Sequence, residues 1–281
     1  MNKIMIFGSG QAGNMISNWI SGDFELLGFI DNNPNLCGKY KDNKRIYSAK
    51  ESVKIMPDII VIAVLNKEAA EEIQLQLKLL DYKGIVFNIN DFKQYIDIRL
   101  ASLRLIASEI NEQKLEGEVA ELGVYKGKFA SEINKLFPNK KLYLFDTFEG
   151  FYDEDLEVER SHGYLRAKEG DFSDTNVELV KNKLPYKEQA EFIKGHFPES
   201  IKEDLPSFCF VSLDTDLYKP TYEGLKIFYP KLVRGGMIIV HDYNSSQFPG
   251  VKKAVKEYCN ANNIFIVPLC DMHGSAVLIK S

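Results

Sequence analysis

The chain has 281 residues, 45% hydrophobic and 27% charged, with 35 basic against 40 acidic side chains. That balance excludes a disordered, collagen-like or disulfide-dense chain, and the length admits two modest domains as readily as one large one. The net charge of −5 is spread evenly along the sequence, so no basic footprint marks a nucleic-acid partner.

In chain order, apolar runs at Lys3–Phe7, Glu25–Ile30, Ile59–Val64 and Ile85–Asn88 read as strands, with helical patterns near Asn14–Ile20 and Glu68–Leu80. Such alternation predicts a parallel sheet with helices on its faces. Ile96, Leu100, Leu103, Ile106 and Ile110 recur at helical spacing and predict an amphipathic connector from Asp91 to Gln113. A second alternation follows Gly117, with strands at Glu118–Leu122, Lys141–Phe145, Ala190–Lys194, Phe208–Leu213 and Met237–Val240. Ile264–Leu269 and Ala276–Ile279, around a turn at His273-Gly274, read as a closing antiparallel hairpin in which His273 is structural. The charged segment Thr147–Lys183 is long for a crossover and is expected to be a lid or binding loop, with a plain surface insertion as the alternative.

No apolar run reaches the roughly 18 residues of a membrane helix, and the N-terminus reads as a strand entering a glycine turn, not as a signal peptide. Cys37, Cys209, Cys259 and Cys270 show no metal-ligand spacing, and Cys209 lies in an apolar run as a buried thiol would. This usage fits a reducing cytoplasm.

Gly8-Ser9-Gly10-Gln11-Ala12-Gly13 follows a strand and precedes a helix. Glycines so placed allow a tight turn and a close approach of backbone N–H groups to a phosphate. Asp31, at the end of the next strand, is placed to accept ribose hydroxyls; a turn kept only for helix–strand packing is the alternative. With Gly28-Phe29-Ile30-Asp31-Asn32-Asn33-Pro34 and Gly38, residues 1–90 resemble the Rossmann-type N-terminal domain of bacterial polysaccharide-modifying enzymes, including sugar-amine acetyltransferases. The resemblance implies a nucleotide-sugar ligand held through Gly8, Gly10, Gly13 and Asp31, and no residue suggests hydride chemistry.

The second glycine turn differs. In Glu118-Val119-Ala120-Glu121-Leu122-Gly123-Val124-Tyr125-Lys126-Gly127 an acid precedes the first glycine and the glycines are spaced G-x-x-x-G. This suits S-adenosylmethionine, which brings an amino acid and a cation instead of a pyrophosphate: Gly123 leaves room for the methionine part and Glu121 supplies negative charge. Asp146, closing the next strand, is expected to hold the ribose, or else merely to cap the strand end.

Asp146-Thr147-Phe148-Glu149-Gly150, Phe192-Ile193-Lys194-Gly195-His196-Phe197-Pro198, Ser212-Leu213-Asp214-Thr215-Asp216-Leu217-Tyr218 and the stretch from Tyr229 to His241-Asp242-Tyr243 occur in order. Together they resemble the macrocin O-methyltransferase family, S-adenosylmethionine enzymes that methylate sugar hydroxyls. The resemblance implies an α/β fold of two doubly wound sheets in series: a Rossmann-like domain over residues 1–95, then a seven-stranded class I methyltransferase domain over 96–281 with a terminal antiparallel hairpin. It implies cofactor contacts from Glu121, Gly123, Tyr125, Gly127, Asp146, Thr147, Gly195, His196 and Asp214. It also implies a divalent ion, usually magnesium, on Asp214 and the pair His241-Asp242. The family usually has two adjacent acids at the second place, so His241 is a departure that shifts the preference away from a hard cation or stands beside a site completed by water. Asp216 is a further ligand or a partner of one.

A sugar hydroxyl is a poor nucleophile, so a base must take its proton; His162, Asp216 and His241 are the candidates. A sugar or nucleotide sugar is the expected substrate and partner, and a homo-oligomer is left open. A catechol-type methyltransferase and a non-catalytic nucleotide-sugar-binding module are the competing readings.

Overall fold

The computed structural model describes residues 2–164, 170–201 and 204–281 and divides into two compact units, residues 1–97 and 98–281. The first unit runs β1 (Asn2–Phe7), α1 (Gln11–Ser17), β2 (Phe24–Ile30), β3 (Tyr40–Lys41), β4 (Lys44–Tyr47), α2 (Ala49–Ile55), β5 (Ile59–Ile62), α3 (Lys67–Leu79), β6 (Ile85–Asn88) and α4 (Ile89–Lys93). Its sheet has the order β3-β4-β2-β1-β5-β6, parallel except for the β3–β4 pair. Met5, Phe7, Ile30, Ile60 and Ile62 are buried together with Ala70, Ile73 and Leu77 of α3, as continuous apolar strands under helices require. Six strands replace the four expected: β3 and β4 are short and polar, and lie at the sheet edge where apolar patterning is weakest.

The second unit runs α5 (Ile98–Glu112), β7 (Glu118–Leu122), α6 (Lys128–Leu136), β8 (Leu142–Asp146), α7 (Asp153–Ser161), α8 (Val177–Lys181), β9 (Ala190–Lys194), β10 (Phe208–Leu213), α9 (Tyr218–Lys231), β11 (Leu232–Val240), α10 (Pro249–Asn262), β12 (Ile266–Pro268) and β13 (Ala276–Ile279). The sheet order is β12-β13-β11-β10-β7-β8-β9. Strands β7 to β11 pair in parallel, whereas β13 is antiparallel to both β11 and β12, so the expected terminal hairpin is present.

Period-two alternation sends the strands' side chains to two cores. Ala120, Leu122, Val211, Leu213 and Val240 pack with Leu225 and Phe228 of α9 and Val251 and Val255 of α10. Val119, Leu142, Leu144, Phe210 and Ile239 pack on the other face with Leu103, Ala107 and Ile110 of α5 and Ala130 and Ile133 of α6.

The expected single connector is two helices. Ile96, counted into its stripe, is 47% exposed, whereas Leu103 and Ile110 are buried with Ala107, and Leu100 and Ile106 pack against them half-buried. The segment Thr147–Lys183, outside 165–169, is also more regular than a loop. The charges that suggested a loop sit at helix ends: Asp153, Glu154 and Asp155 open α7, Arg160 closes it, and Asn176 caps α8 by accepting from the Leu179 N–H at 2.8 Å. Residues 165–169 of the expected lid lie outside the described residues.

Candidate functional site

Open α/β sheets bind ligands beyond the C-terminal ends of their strands, and in the second unit four strand ends share an unusual backbone. Tyr125, Phe148, Asp216 and Asp242, which follow β7, β8, β10 and β11, all have positive φ, between 48° and 60°. Left-handed residues other than glycine cost energy and cluster where function demands them. Two of the four carry the carboxylates at issue.

Glu121 and Ser212 are register partners on adjacent strands, and alternation points both toward α5, the side of Val119 and Phe210. Arg99 precedes Leu103 by four residues, so it shares the packed face of α5. Its guanidinium donates to Asp214 Oδ2 at 2.9 Å and to Ser212 Oγ at 3.4 Å, and stacks 3.9 Å from the centre of the Phe129 ring. Burial drives the Glu121 carboxyl well above the usual carboxylate range, with Arg99 opposing and Asp214 and Asp146 adding to the rise. Glu121 Oε2 is buried with no hydrogen-bond partner. An orphaned acceptor of this kind is costly.

Beyond the strand ends lies a cluster of carboxylates and imidazoles. His241 Nδ1 stands 2.8 Å from Asp214 Oδ1 and 2.7 Å from Asp242 Oδ2. Burial disfavours its charged form, but Asp214 and the hydrogen bonds to both acids outweigh that and push it up to about 10. Asp242 is held far below the usual range against its burial, chiefly by its hydrogen bond to His241 and by the nearby His273 ring. Asp214 is likewise held down, against its burial, by His241 and Arg99. Asp216, buried beside both acids, is driven well above the ordinary value. Donor atoms of Asp214, Asp216 and Asp242 lie within 4.8 Å of one another, as do those of His241, Asp242 and His273. Three converging carboxylates, one of them with its ionisation disfavoured by burial and by the other two, fit a divalent cation.

His273, expected to be structural, is drawn into this cluster. Its Nδ1 is 3.6 Å from Asp242 Oδ1, and its ring centre lies 4.8 Å from that of His241. Arg99 and His273 are residues of this cluster that sequence reasoning missed. Their signals were a lone arginine on an apolar helix stripe and a histidine in a tight hairpin turn.

Around the glycine turn the expected contacts divide. Gly123 (φ +85°) has no room for a Cβ, which would meet the Asp214 carbonyl oxygen at 2.0 Å. Gly127 is filled differently from expectation: its missing Cβ makes way for Val180 of α8, 2.5 Å distant. Asp146 Oδ2 accepts the Val124 and Tyr125 N–H groups at 2.6 and 2.9 Å, and Oδ1 accepts that of Phe148 at 2.6 Å. It is a clamp between two strand ends, with about one of its four acceptor positions left for a ribose. Thr147 spends its hydroxyl on the Gly150 carbonyl at 2.7 Å. Tyr125 donates to Asp174 at 2.7 Å and meets Phe172 edge-on at 5.0 Å, so residues 172–174 dock on the turn.

The two remaining histidines make other contacts. His196 lies between Asp155 (2.9 Å) and Glu199 (3.0 Å) and stacks on Tyr152 at 4.6 Å, while Gly195 donates its N–H to the Asp146 carbonyl at 3.0 Å. His162 is tied through Nδ1 to the Val158 carbonyl at 2.8 Å and stacks between Tyr164 and Tyr218, at 5.5 and 5.9 Å. Among the described residues, no contact joins His162 to the carboxylates.

In the first unit, Gly13 allows contact with the Gly8 carbonyl, 2.0 Å from where its Cβ would stand, and Gly8 (φ +111°) lies against Ala63. These two serve packing. Gly10 faces open space. Asp31 Oδ2 accepts from the Ser9 N–H and hydroxyl at 3.1 and 2.5 Å, and Oδ1 from the Asn33 N–H at 2.9 Å. Lys41, on the unexpected strand β3, reaches back to the carbonyls of Ser9 and Gly10.

The sheet order and the strand-end site define a class I methyltransferase fold. The O-methyltransferase NovP superposes with a TM-score of 0.54 at 20% identity, over 65% of this chain and 79% of that one. The calicheamicin methyltransferase CalS11 gives 0.51 at 17% identity, over 82% and 91%. The profile of the macrocin-O-methyltransferase (TylF) family matches residues 96–280, and the chain belongs to that family. Residues 1–85 match the C2185-like N-terminal profile. Mycinamicin III 3''-O-methyltransferase of Micromonospora griseorubida is 26% identical over 227 residues, 75% of this chain and 85% of the relative. Demethyldecarbamoylnovobiocin O-methyltransferase of Streptomyces niveus is 26% identical over 171 residues, 57% of this chain and 64% of the relative's length. Among the described residues, no helix is long and apolar enough to cross a membrane.

Proposed function

We propose that the chain is a metal-dependent O-methyltransferase that moves the methyl group of S-adenosylmethionine to a sugar hydroxyl of a glycan or natural-product precursor. The observation that carries this reading is the convergence of Asp214, Asp216 and Asp242 beside the Glu121–Gly123 turn. The relatives' activities on mycinamicin and demethyldecarbamoylnovobiocin support O-methylation as the reaction class. The donor would supply an activated methyl group, and a divalent cation held by Asp214, Asp242 and Asp216 or His241 would stabilise charge on the acceptor oxygen.

The chain's own residues do the rest. Glu121 offers a buried, unpartnered carboxyl oxygen to the donor's cationic part, whose charge would favour the ionised form, and Gly123 lets the turn pack directly on the Asp214 backbone. Arg99 holds Asp214 in place from α5. Asp216 is the best placed of the proton acceptors, because His241 Nδ1 is committed to two carboxylates and His162 stacks among tyrosines. The first unit would bind the nucleotide part of a nucleotide-linked sugar at Gly10, with Lys41 as a cation beside the phosphates. The cysteine usage supports a cytoplasmic setting.

The test is single-turnover transfer from labelled S-adenosylmethionine to a panel of nucleotide-linked and free deoxysugars, with metal-replete and metal-stripped protein. Transfer should need the metal and should be lost in Asp214→Asn and Asp242→Asn, while calorimetry still detects donor binding. Full transfer by stripped protein would remove the metal from the mechanism, and absence of donor binding would remove the methyltransferase reading itself.

A further inference from the structure

The cluster has two halves that share Asp242. One is made of oxygen donors only; the other offers the imidazoles of His241 and His273 with the Asp242 carboxylate. The second half is held together by the backbone of the terminal hairpin. Asp271 accepts the Ser275 N–H and hydroxyl, each at 2.6 Å. Gly274 (φ +70°) is pressed against Asn244, where a Cβ would lie 2.5 Å from the Asn244 Cβ, and its carbonyl accepts the Asn244 N–H at 2.9 Å. Asn244 is two residues beyond Asp242, so the turn that carries His273 is pinned to the loop that carries Asp242.

Donors bound to one ion at about 2.0–2.1 Å stand no more than about 4.2 Å apart. The donor atoms, all within 4.8 Å of one another, reach that spacing with shifts of about half an ångström or less per side chain. Two imidazoles and one carboxylate suit zinc, iron, cobalt or nickel, whereas magnesium keeps to oxygen and sheds its water reluctantly.

We infer that His241, Asp242 and His273 form a nitrogen-rich cation site, and that the protein binds a borderline transition-metal ion in preference to magnesium. The inference rests on the metal-dependence reading above and deepens it by naming the ion class and a ligand, His273, supplied by the terminal hairpin.

The test is binding of cobalt(II) and magnesium, each titrated into the metal-stripped full chain by calorimetry. It is joined by pulsed electron paramagnetic resonance of bound manganese(II) to detect imidazole nitrogen. Cobalt should bind at least tenfold more tightly than magnesium, and nitrogen coupling should be visible. His273→Ala should lose about tenfold in cobalt affinity with magnesium affinity within about twofold, and His241→Asp should narrow or reverse the preference. Equal cobalt affinity in His273→Ala and the parent, magnesium binding as tight as cobalt, or manganese without nitrogen coupling would each overturn the inference. These readouts need no turnover. Magnesium-supported transfer without nitrogen ligands would leave metal dependence standing and remove only this proposal.

Discussion

At Gly123 a single methyl group would collide with the backbone that carries Asp214. Gly123→Ala has to bear both a left-handed φ of +85° and a contact of 2.0 Å, which together cost about 1–3 kcal/mol or more. Gly10→Ala, with nothing within 4 Å, should change stability by under about 1 kcal/mol while weakening nucleotide-sugar binding. Urea titration of both variants checks the contrast, and equal losses would show that the two turns are built alike. The second glycine turn was legible because its spacing is local. Arg99 was not, since its meaning depends on Glu121, which lies in a different element, and on a helix face that only packing selects. His273 was hidden for the same reason: nothing near it in the chain announces that the hairpin folds back onto Asp242.

Among the elements, α7 is joined to α9 by a buried acid. Glu159, 2% exposed, accepts the Tyr218 N–H at 2.6 Å, and its oxygens stand 2.8 and 2.9 Å from where a Cβ on Gly250 of α10 would be. Burial raises its carboxyl above the ordinary value of 4.5, with the Tyr218 hydrogen bond only partly opposing. An acid raised in the folded state gives stability that is complete below the unfolded value and is lost as pH rises through the folded one. Glu159→Gln keeps the acceptor and cannot ionise, so its stability relative to the parent should grow as pH rises above 4.5. Denaturant midpoints followed from about pH 4.5 to 8 check this, and a parent that gains on the variant over that range would refute it. The central strands were readable from sequence because burial on both faces leaves one continuous apolar signature, as in the wholly buried β10. The helices of the 147–183 segment were not, because α7 is written in the same charges that a solvated loop uses.

For the whole molecule, two units with separate cores should respond separately to damage. Ser48 and Glu51 form a reciprocal cap at the start of α2, and Ser48→Ala should cost about 1 kcal/mol. Hydrogen exchange should register that loss in amides of residues 2–97 and leave those of β7 to β11 unchanged. An equal loss in both units would mean that they unfold as one. The division into two alternating series was legible over the full length, but the ligand each unit serves depends on side chains that converge from distant elements. One such convergence has a further consequence. The Asp214 N–H is held by the Leu122 carbonyl at 2.8 Å, and its own carbonyl lies against Gly123, so the glycine turn and the Asp214 loop form one mechanical body. On the proposed reading, whatever factor the methyl donor applies to cation affinity, the cation applies to donor affinity. Neither is a prerequisite for the other at equilibrium, and the state in which the protein waits is decided by the concentrations around it.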